Sequence, residues 1–299
     1  MRRMNSRQAT KRIAILATLL FALSACSATQ AAPTPTVVPA TATPTLTPLP
    51  TFAPSTATPT LTPIACLAKP GRLEKSILES SNPPQEFIVY LPPCYAERTD
   101  KRYPVLYLLH GQTYTADQWI RLGAAKALDN LIMSGEATPF ILVFPDDHYW
   151  YTPAGTTFGA RLTGELIPFI DETYRSIPDP RYRAIGGLSR GAGWALNLGL
   201  TRPDLFSAIG LHSLAVFQRD ASKVAGWIQS MPPTSRPSIF MDIGDNDQEL
   251  ASATQIESIF TQSDVSHEWH IYTGEHTEDY WSAHVKEYIR WYAEQWNNQ

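Results

Sequence analysis

A chain of 299 residues with 24 Lys+Arg against 28 Asp+Glu carries a formal net charge of -4. That sign speaks against nucleic acid and anionic surfaces as partners. Its seven histidines are scattered, with no His-x-x-x-His or Cys-x-x-Cys spacing, so no metal site is expected.

The first charged residues are all basic: Arg2, Arg3, Arg7, Lys11 and Arg12. They precede the apolar run from Ile13 to Leu23, the layout of a secretory signal. The run falls short of the roughly 20 residues of a permanent membrane span, so removal is expected. Its end, Leu23-Ser24-Ala25-Cys26, resembles a bacterial lipobox. That resemblance implies cleavage of residues 1–25 and lipidation of Cys26, which would hold an exported protein on the outer face of the bacterial cell membrane. The alternative is an ordinary signal peptide with a chance cysteine near its end. Loss of the five leader cations takes the net charge from -4 to -9.

No charged residue lies between Arg12 and Lys69, and from Ala31 to Pro63 threonine and proline alternate. Such a stretch cannot build a core. Proline fixes φ and removes backbone donors, so residues 26–63 read as a tether whose stretch from Ala31 to Pro63 is extended over roughly 90–100 Å. Residues 64–299 have the size of one α/β domain. With Cys26 assigned, Cys66 and Cys94 remain in an exported protein, and a disulfide between them is expected, two unpaired buried thiols being the alternative.

Within the domain, short apolar runs predict strands at 87–91, 105–109, 140–144, 183–188, 208–211, 239–243 and 269–272. Most are continuous rather than alternating, which suggests a mostly parallel sheet covered on both faces. Helical patterns occupy 116–133, 160–174, 191–201, 248–262 and 279–296, so strand and helix alternate as in a doubly wound α/β fold. No internal repeat is present.

Gly187-Leu188-Ser189-Arg190-Gly191 joins a predicted buried strand to a predicted helix. This is the context a nucleophile elbow requires, with glycines on both flanks of a sharp turn that pushes out the serine hydroxyl. A serine needs a base, and the base needs an orienting acid, each after a later strand. His276 follows the 269–272 strand and precedes the last helix. Asp247 follows the 239–243 strand; Asp245 is its rival, and Asp242 lies inside the strand, where a structural role fits. His267, His270 and His284 are expected to be structural.

An oxyanion needs two backbone N–H donors. Arg190 supplies one, and Gln112, in His110-Gly111-Gln112 after the 105–109 strand, is the candidate for the other. His110 as a base is the competing use of that residue. Candidate substrate contacts are Trp119 and the loop residues Tyr149 and Trp150, which suit an aromatic acyl group or a sugar face. Trp194 and Trp281 add to the aromatic character, and Trp194 is equally well explained as core.

These motifs, with Tyr107-Leu108-Leu109-His110-Gly111, Phe144-Pro145-Asp146, Glu165 to Ile170 with Tyr174, Arg202 to Phe206, and Gly274-Glu275-His276 with Trp281, resemble the esterase D-like group of α/β-hydrolases. That family includes feruloyl and acetylxylan-type esterases, S-formylglutathione hydrolases and mycolyltransferases. The resemblance implies an α/β-hydrolase fold and a serine carboxylic-ester hydrolase with the triad Ser189, Asp247 and His276 and the oxyanion positions Gln112 and Arg190. It implies a small-molecule or polysaccharide ester as substrate and no cofactor. Two departures stand out. Ser189-Arg190-Gly191-Ala192 replaces a common Ser-Met-Gly-Gly, which points to a more polar or narrower acyl pocket, and His212-Ser213 replaces a common Ser-Gly. Transfer of the acyl group to a sugar or glycerol hydroxyl, and a non-catalytic carbohydrate-binding lipoprotein, are the alternative readings.

Overall fold

The computed structural model describes residues 65–297. The expected signal peptide, lipidated Cys26 and tether lie outside the described residues. The strands are β1 (Arg72–Leu78), β2 (Gln85–Leu91), β3 (Val105–Leu109), β4 (Ile141–Pro145), β5 (Arg183–Leu188), β6 (Ala208–His212), β7 (Ser238–Gly244) and β8 (Glu268–Tyr272). They form one sheet in the order β1-β2-β4-β3-β5-β6-β7-β8. β1, β2 and β4 are antiparallel neighbours, and every pairing from β4 through β3 to β8 is parallel. With helices on both faces, this is the expected α/β-hydrolase architecture.

The parallel core explains why the strands read as unbroken apolar runs. Every residue of β3 is buried. Val105, Tyr107 and Leu109 point into one core with Ile167, Leu196 and Ile256, whereas Leu106 and Leu108 point into the opposite core with Leu128, Tyr288 and Tyr292. Successive side chains leave a strand on opposite faces, so burial of both faces removes the alternation. β1 has the converse pattern: an edge strand carrying Arg72, Glu74 and Lys75, it was not predicted, because its place comes from pairing with β2 rather than from its own burial.

The helices are α1 (Gln118–Arg121), α2 (Ala124–Met133), α3 (Phe158–Arg161), α4 (Ile167–Thr173), α5 (Arg190–Thr201), α6 (Val224–Ser230), α7 (Leu250–Gln262) and α8 (Glu278–Glu294). The helix expected at 116–133 is divided between α1 and α2 at Gly123, whose φ is 101°. The one expected at 160–174 is a continuous run in which a π-turn, Leu162–Leu166, stands between α3 and α4. Pro168 explains it: proline has no N–H and its ring crowds the carbonyl four residues back, and the wider π-turn takes up that mismatch. α6 was not predicted.

Cys66 and Cys94 form a disulfide, with Cα atoms 5.0 Å apart. It ties the short 3₁₀ turn Ala65–Ala68 to the segment after β2.

Candidate active site

Ser189 ends the β5 turn and begins α5 with φ 54° and ψ -119°, a strained conformation for a residue with a side chain. Its N–H donates to the His212 carbonyl at 2.9 Å, and its own carbonyl accepts from Gly193 N–H at 3.1 Å. The glycines on its flanks are required by contact. A Cβ on Gly187 would lie 2.3 Å from the Gly191 backbone, and one on Gly191 would lie 2.2 Å from the Leu109 carbonyl oxygen. The turn therefore closes only with glycine at both places.

Asp247 follows β7 and His276 follows β8, so all three groups gather at the carboxyl ends of parallel strands, where open α/β sheets place their ligand crevices. His276 Nε2 is 2.9 Å from Ser189 Oγ. On its other side, His276 Nδ1 is 2.9 Å from both carboxylate oxygens of Asp247. The Asp247 side chain is fully buried. Burial raises its pKa, but hydrogen bonds from His276 and the Glu249 N–H lower it by more and hold it below the ordinary carboxylate value. Asp245 is exposed and accepts from the Gly274 N–H at 3.0 Å, a loop contact away from His276.

The loop after β3 is held from several sides. Gly111 N–H donates to Gln118 Oε1 at 2.8 Å, and Asp147 N–H donates to His110 Nε2 at 2.7 Å. Because Nε2 accepts that bond, the His110 proton sits on Nδ1, which donates to the Gly111 carbonyl at 2.7 Å. A buried imidazole occupied at both nitrogens shapes this loop rather than acting as a base. The N–H groups of Gln112 and Arg190 donate to no group among the described residues. That of Arg190 belongs to the first turn of α5, where helix geometry leaves N–H groups without partners.

Beside Ser189, the Arg190 side chain turns to the loop after β4. Its Nε donates to Asp147 Oδ2 at 2.9 Å, an oxygen that also accepts from Trp194 Nε1 at 3.1 Å. Arg190 further lies over the rings of Trp194 and Phe217. Burial lifts the Asp147 pKa despite these partners. A cavity of about 540 Å³ opens here, with Trp150, Arg190, Trp194, Asn197, Phe217 and Asp220 in its wall. Tyr149 is half-buried nearby in sequence, its ring tilted at 42° against that of His148.

Trp119 requires a correction. It is completely buried, donates to the Leu109 carbonyl at 2.9 Å and packs edge-on against His212 and Tyr288, so it is core and not a substrate contact. Counting aromatics near a motif cannot reveal which face of the sheet they enter. Asp242 is buried as expected of a structural group, accepting from Tyr280 and Tyr288 at 2.8 and 2.6 Å and lying 2.6 Å from His212 Nδ1. Among the described residues no group of three His, Cys, Asp or Glu side chains could hold a metal ion.

The sheet order and the serine–histidine–aspartate run define an α/β-hydrolase. Residues 79–292 match the family described as "Putative esterase", and the chain belongs to that family. It is similar to an endo-1,4-beta-xylanase/feruloyl esterase of Xylanibacter ruminicola, 31% identical over 192 residues, which are 60% of this chain and 25% of that protein. This chain therefore spans about a quarter of that relative's length. A solved ferulic acid esterase superposes with TM-score 0.69 at 26% identity, covering 76% of this chain and all of the other. A feruloyl esterase module from Clostridium thermocellum, solved with sinapinate, shares the fold with TM-score 0.66 at 20% identity over 77% and 92% of the two chains.

Proposed function

We propose that this chain hydrolyses carboxylic esters through an acyl-enzyme formed on Ser189. The observation that carries the reading is the unbroken hydrogen-bonded run from Ser189 Oγ through His276 to Asp247. His276 Nε2 takes the serine proton as Oγ attacks the ester carbonyl, and returns it to the departing alcohol. Asp247 holds the Nδ1–H tautomer and balances the imidazolium. The Gln112 and Arg190 N–H groups, which donate to no group among the described residues, stabilise the developing oxyanion. Water activated by His276 then releases the acid.

For substrate, the reading extends to aromatic acyl esters linked to carbohydrate. Trp150, Trp194 and Phe217 offer ring faces in the cavity beside Arg190, while Asn197 and Asp220 offer polar groups. The names of the relatives agree with that chemistry. The sequence before the domain supports an enzyme exported and lipid-anchored through Cys26, working at the end of the 26–63 tether.

Reaction with a fluorophosphonate probe tests the chemistry. The wild-type chain is expected to label, and Ser189→Ala and His276→Ala are not; an unlabelled wild type would sink the reading. A Cys26→Ser form that stays with the membrane fraction would refute the anchor.

A further inference from the structure

The reaction uses the Arg190 N–H but not the Arg190 side chain, whose guanidinium stands at the wall of the 540 Å³ cavity beside the elbow. Its central carbon is 5.3 Å from the centre of the Phe217 ring and 5.9 Å from that of Trp194, two rings of the same wall. With 17% of its surface exposed, the side chain is held in place. A guanidinium is a planar fork of N–H donors that accepts nothing. Asp147 takes only its Nε edge, at 2.9 Å, and the outer amines Nη1 and Nη2 donate to no group among the described residues.

The charge of the wall points the same way. Arg219 also lines the cavity, is exposed, and has no carboxylate within ion-pair distance among the described residues. Asp220, the acid of this wall, is already engaged: its Oδ2 accepts from Asn197 Nδ2 at 2.7 Å, and its Oδ1 lies 3.6 Å from Lys223 Nζ. Arg190, Arg219 and Lys223 outnumber Asp147 and Asp220, so this concave region is positive in a chain whose net charge is -4. Such a wall favours an anionic group over a neutral one.

We propose that Arg190 selects the substrate, and that the acyl group is an aromatic ring bearing a carboxylate. The ring lies against Trp150, Trp194 and Phe217, and the carboxylate is taken end-on by Nη1 and Nη2 of Arg190. A carboxylate answers both amines in one plane, whereas a phenol hydroxyl offers them a single oxygen and leaves its own proton facing a group that cannot accept it. The preferred substrate is therefore the half-ester of an aromatic dicarboxylic acid. This narrows the aromatic acyl esters proposed above and rests on that reading and on Ser189 as the nucleophile.

The test is hydrolysis by the full chain of nitrophenyl esters with one shared leaving group: the benzoate, and the half-esters of isophthalic and terephthalic acid. A ring carboxylate at either position barely alters the reactivity of the ester carbonyl, so the ratio of kcat/KM for the better half-ester to that for the benzoate measures recognition. In the wild type this ratio is expected to be about tenfold or more, and to fall as salt rises, because a partly exposed ion pair is screened. Arg190→Met removes the guanidinium and keeps the backbone N–H, and the ratio is expected to fall to near unity; any harm to the elbow falls on both esters and cancels. Arg219→Gln lies outside the catalytic groups and should lower the ratio about twofold, which keeps the charge argument testable if thermal melts show Arg190→Met to be unfolded. A wild type that labels with fluorophosphonate and hydrolyses the benzoate but prefers neither half-ester overturns the proposal and leaves the esterase reading standing, as does an Arg190→Met enzyme with the wild-type ratio. A wild type that fails to label overturns the esterase reading instead, and this proposal with it.

Discussion

Asp147 and Arg190 join the loop after β4 to the residue that follows Ser189, with Arg190 Nε 2.9 Å from Asp147 Oδ2. The pair is largely buried, with side-chain exposures of 6% and 17%, and the other carboxylate oxygen, Oδ1, accepts no hydrogen bond among the described residues. That unmet oxygen is why burial outweighs the Arg190 charge and the Trp194 N–H and leaves the Asp147 pKa raised. Asp247, which has His276 and the Glu249 N–H as hydrogen-bond partners, is lowered.

The two carboxylates must therefore affect stability with opposite pH dependence. A raised folded pKa means tighter proton binding in the folded state. The Asp147 contribution is full below the unfolded value of about 3.9 and is lost as pH rises through the folded value. For Asp247 the contribution is full above about 3.9 and is lost as pH falls through its lower folded value. The melting-temperature difference between wild type and Asp147→Asn should move in favour of wild type as pH falls from about 7 towards 4. The difference between wild type and Asp247→Asn should stay level over that interval and shrink below it. Melts of the three proteins at matched ionic strength check both signs.

Asp245 and Asp247 are distinguished by the same logic applied to catalysis. Asp247→Asn would leave His276 Nδ1 facing an amide that favours the wrong tautomer, and kcat is expected to fall by about 10³–10⁴. Asp245→Asn alters an exposed loop carboxylate, and kcat should stay within about twofold of wild type. Esterase kinetics on the two variants decide the assignment; the reverse ranking would move the acid to Asp245.

The sequence made some of this legible and hid the rest for physical reasons. The elbow could be read because a turn in which a Cβ on Gly187 or Gly191 would fall under 2.5 Å from other backbone admits no other residue, so the motif itself records the geometry. The parallel strands could be read because burial on two faces leaves unbroken apolar runs. Trp119 was misplaced because its one-dimensional neighbourhood is that of the site, while its indole turns into the core beside Tyr288. Ser213 and Trp281 lie 68 residues apart, and nothing local in either segment encodes their hydrogen bond. Only the departure from a common Ser-Gly at His212-Ser213 marked the place. Asp147 gave no signal as the partner of Arg190, because that pairing depends on how the loop after β4 folds back over α5.

The Cys66–Cys94 disulfide closes a separation of 28 residues. Constraining a loop of that length in the unfolded chain contributes about 3–4 kcal/mol, so reduction or Cys94→Ser should lower the melting temperature by roughly 10 °C. Activity at moderate temperature should be unchanged. β2 runs antiparallel to β4, which carries the chain after Leu91 to the amino-terminal end of the parallel strands, opposite the Ser189 end. Melts and assays with and without reductant check both halves of this prediction.

The cavity beside Arg190 makes a prediction about substrate that a generic esterase would not meet. Trp150, Trp194 and Phe217 present aromatic surface there, with Trp194 held between Phe158 and Phe217 at ring distances of 5.5 and 5.1 Å. Trp194 is so enclosed that its removal would disturb α5 as well as the cavity. Trp150 is half-buried on a loop, and truncating it should remove a contact face without collapsing the fold. Loss of one aromatic contact is worth about 1 kcal/mol or somewhat more, so Trp150→Ala is expected to lower kcat/KM on a feruloyl or other aromatic acyl ester about tenfold. The same variant should hydrolyse a short acetyl ester at close to the wild-type rate, because acetyl is too small to reach the ring. The ratio of the two kcat/KM values is the measurement. An equal loss on both esters would show that Trp150 supports the site as a whole, and an unchanged ratio with full activity would remove this cavity from the path of the acyl group.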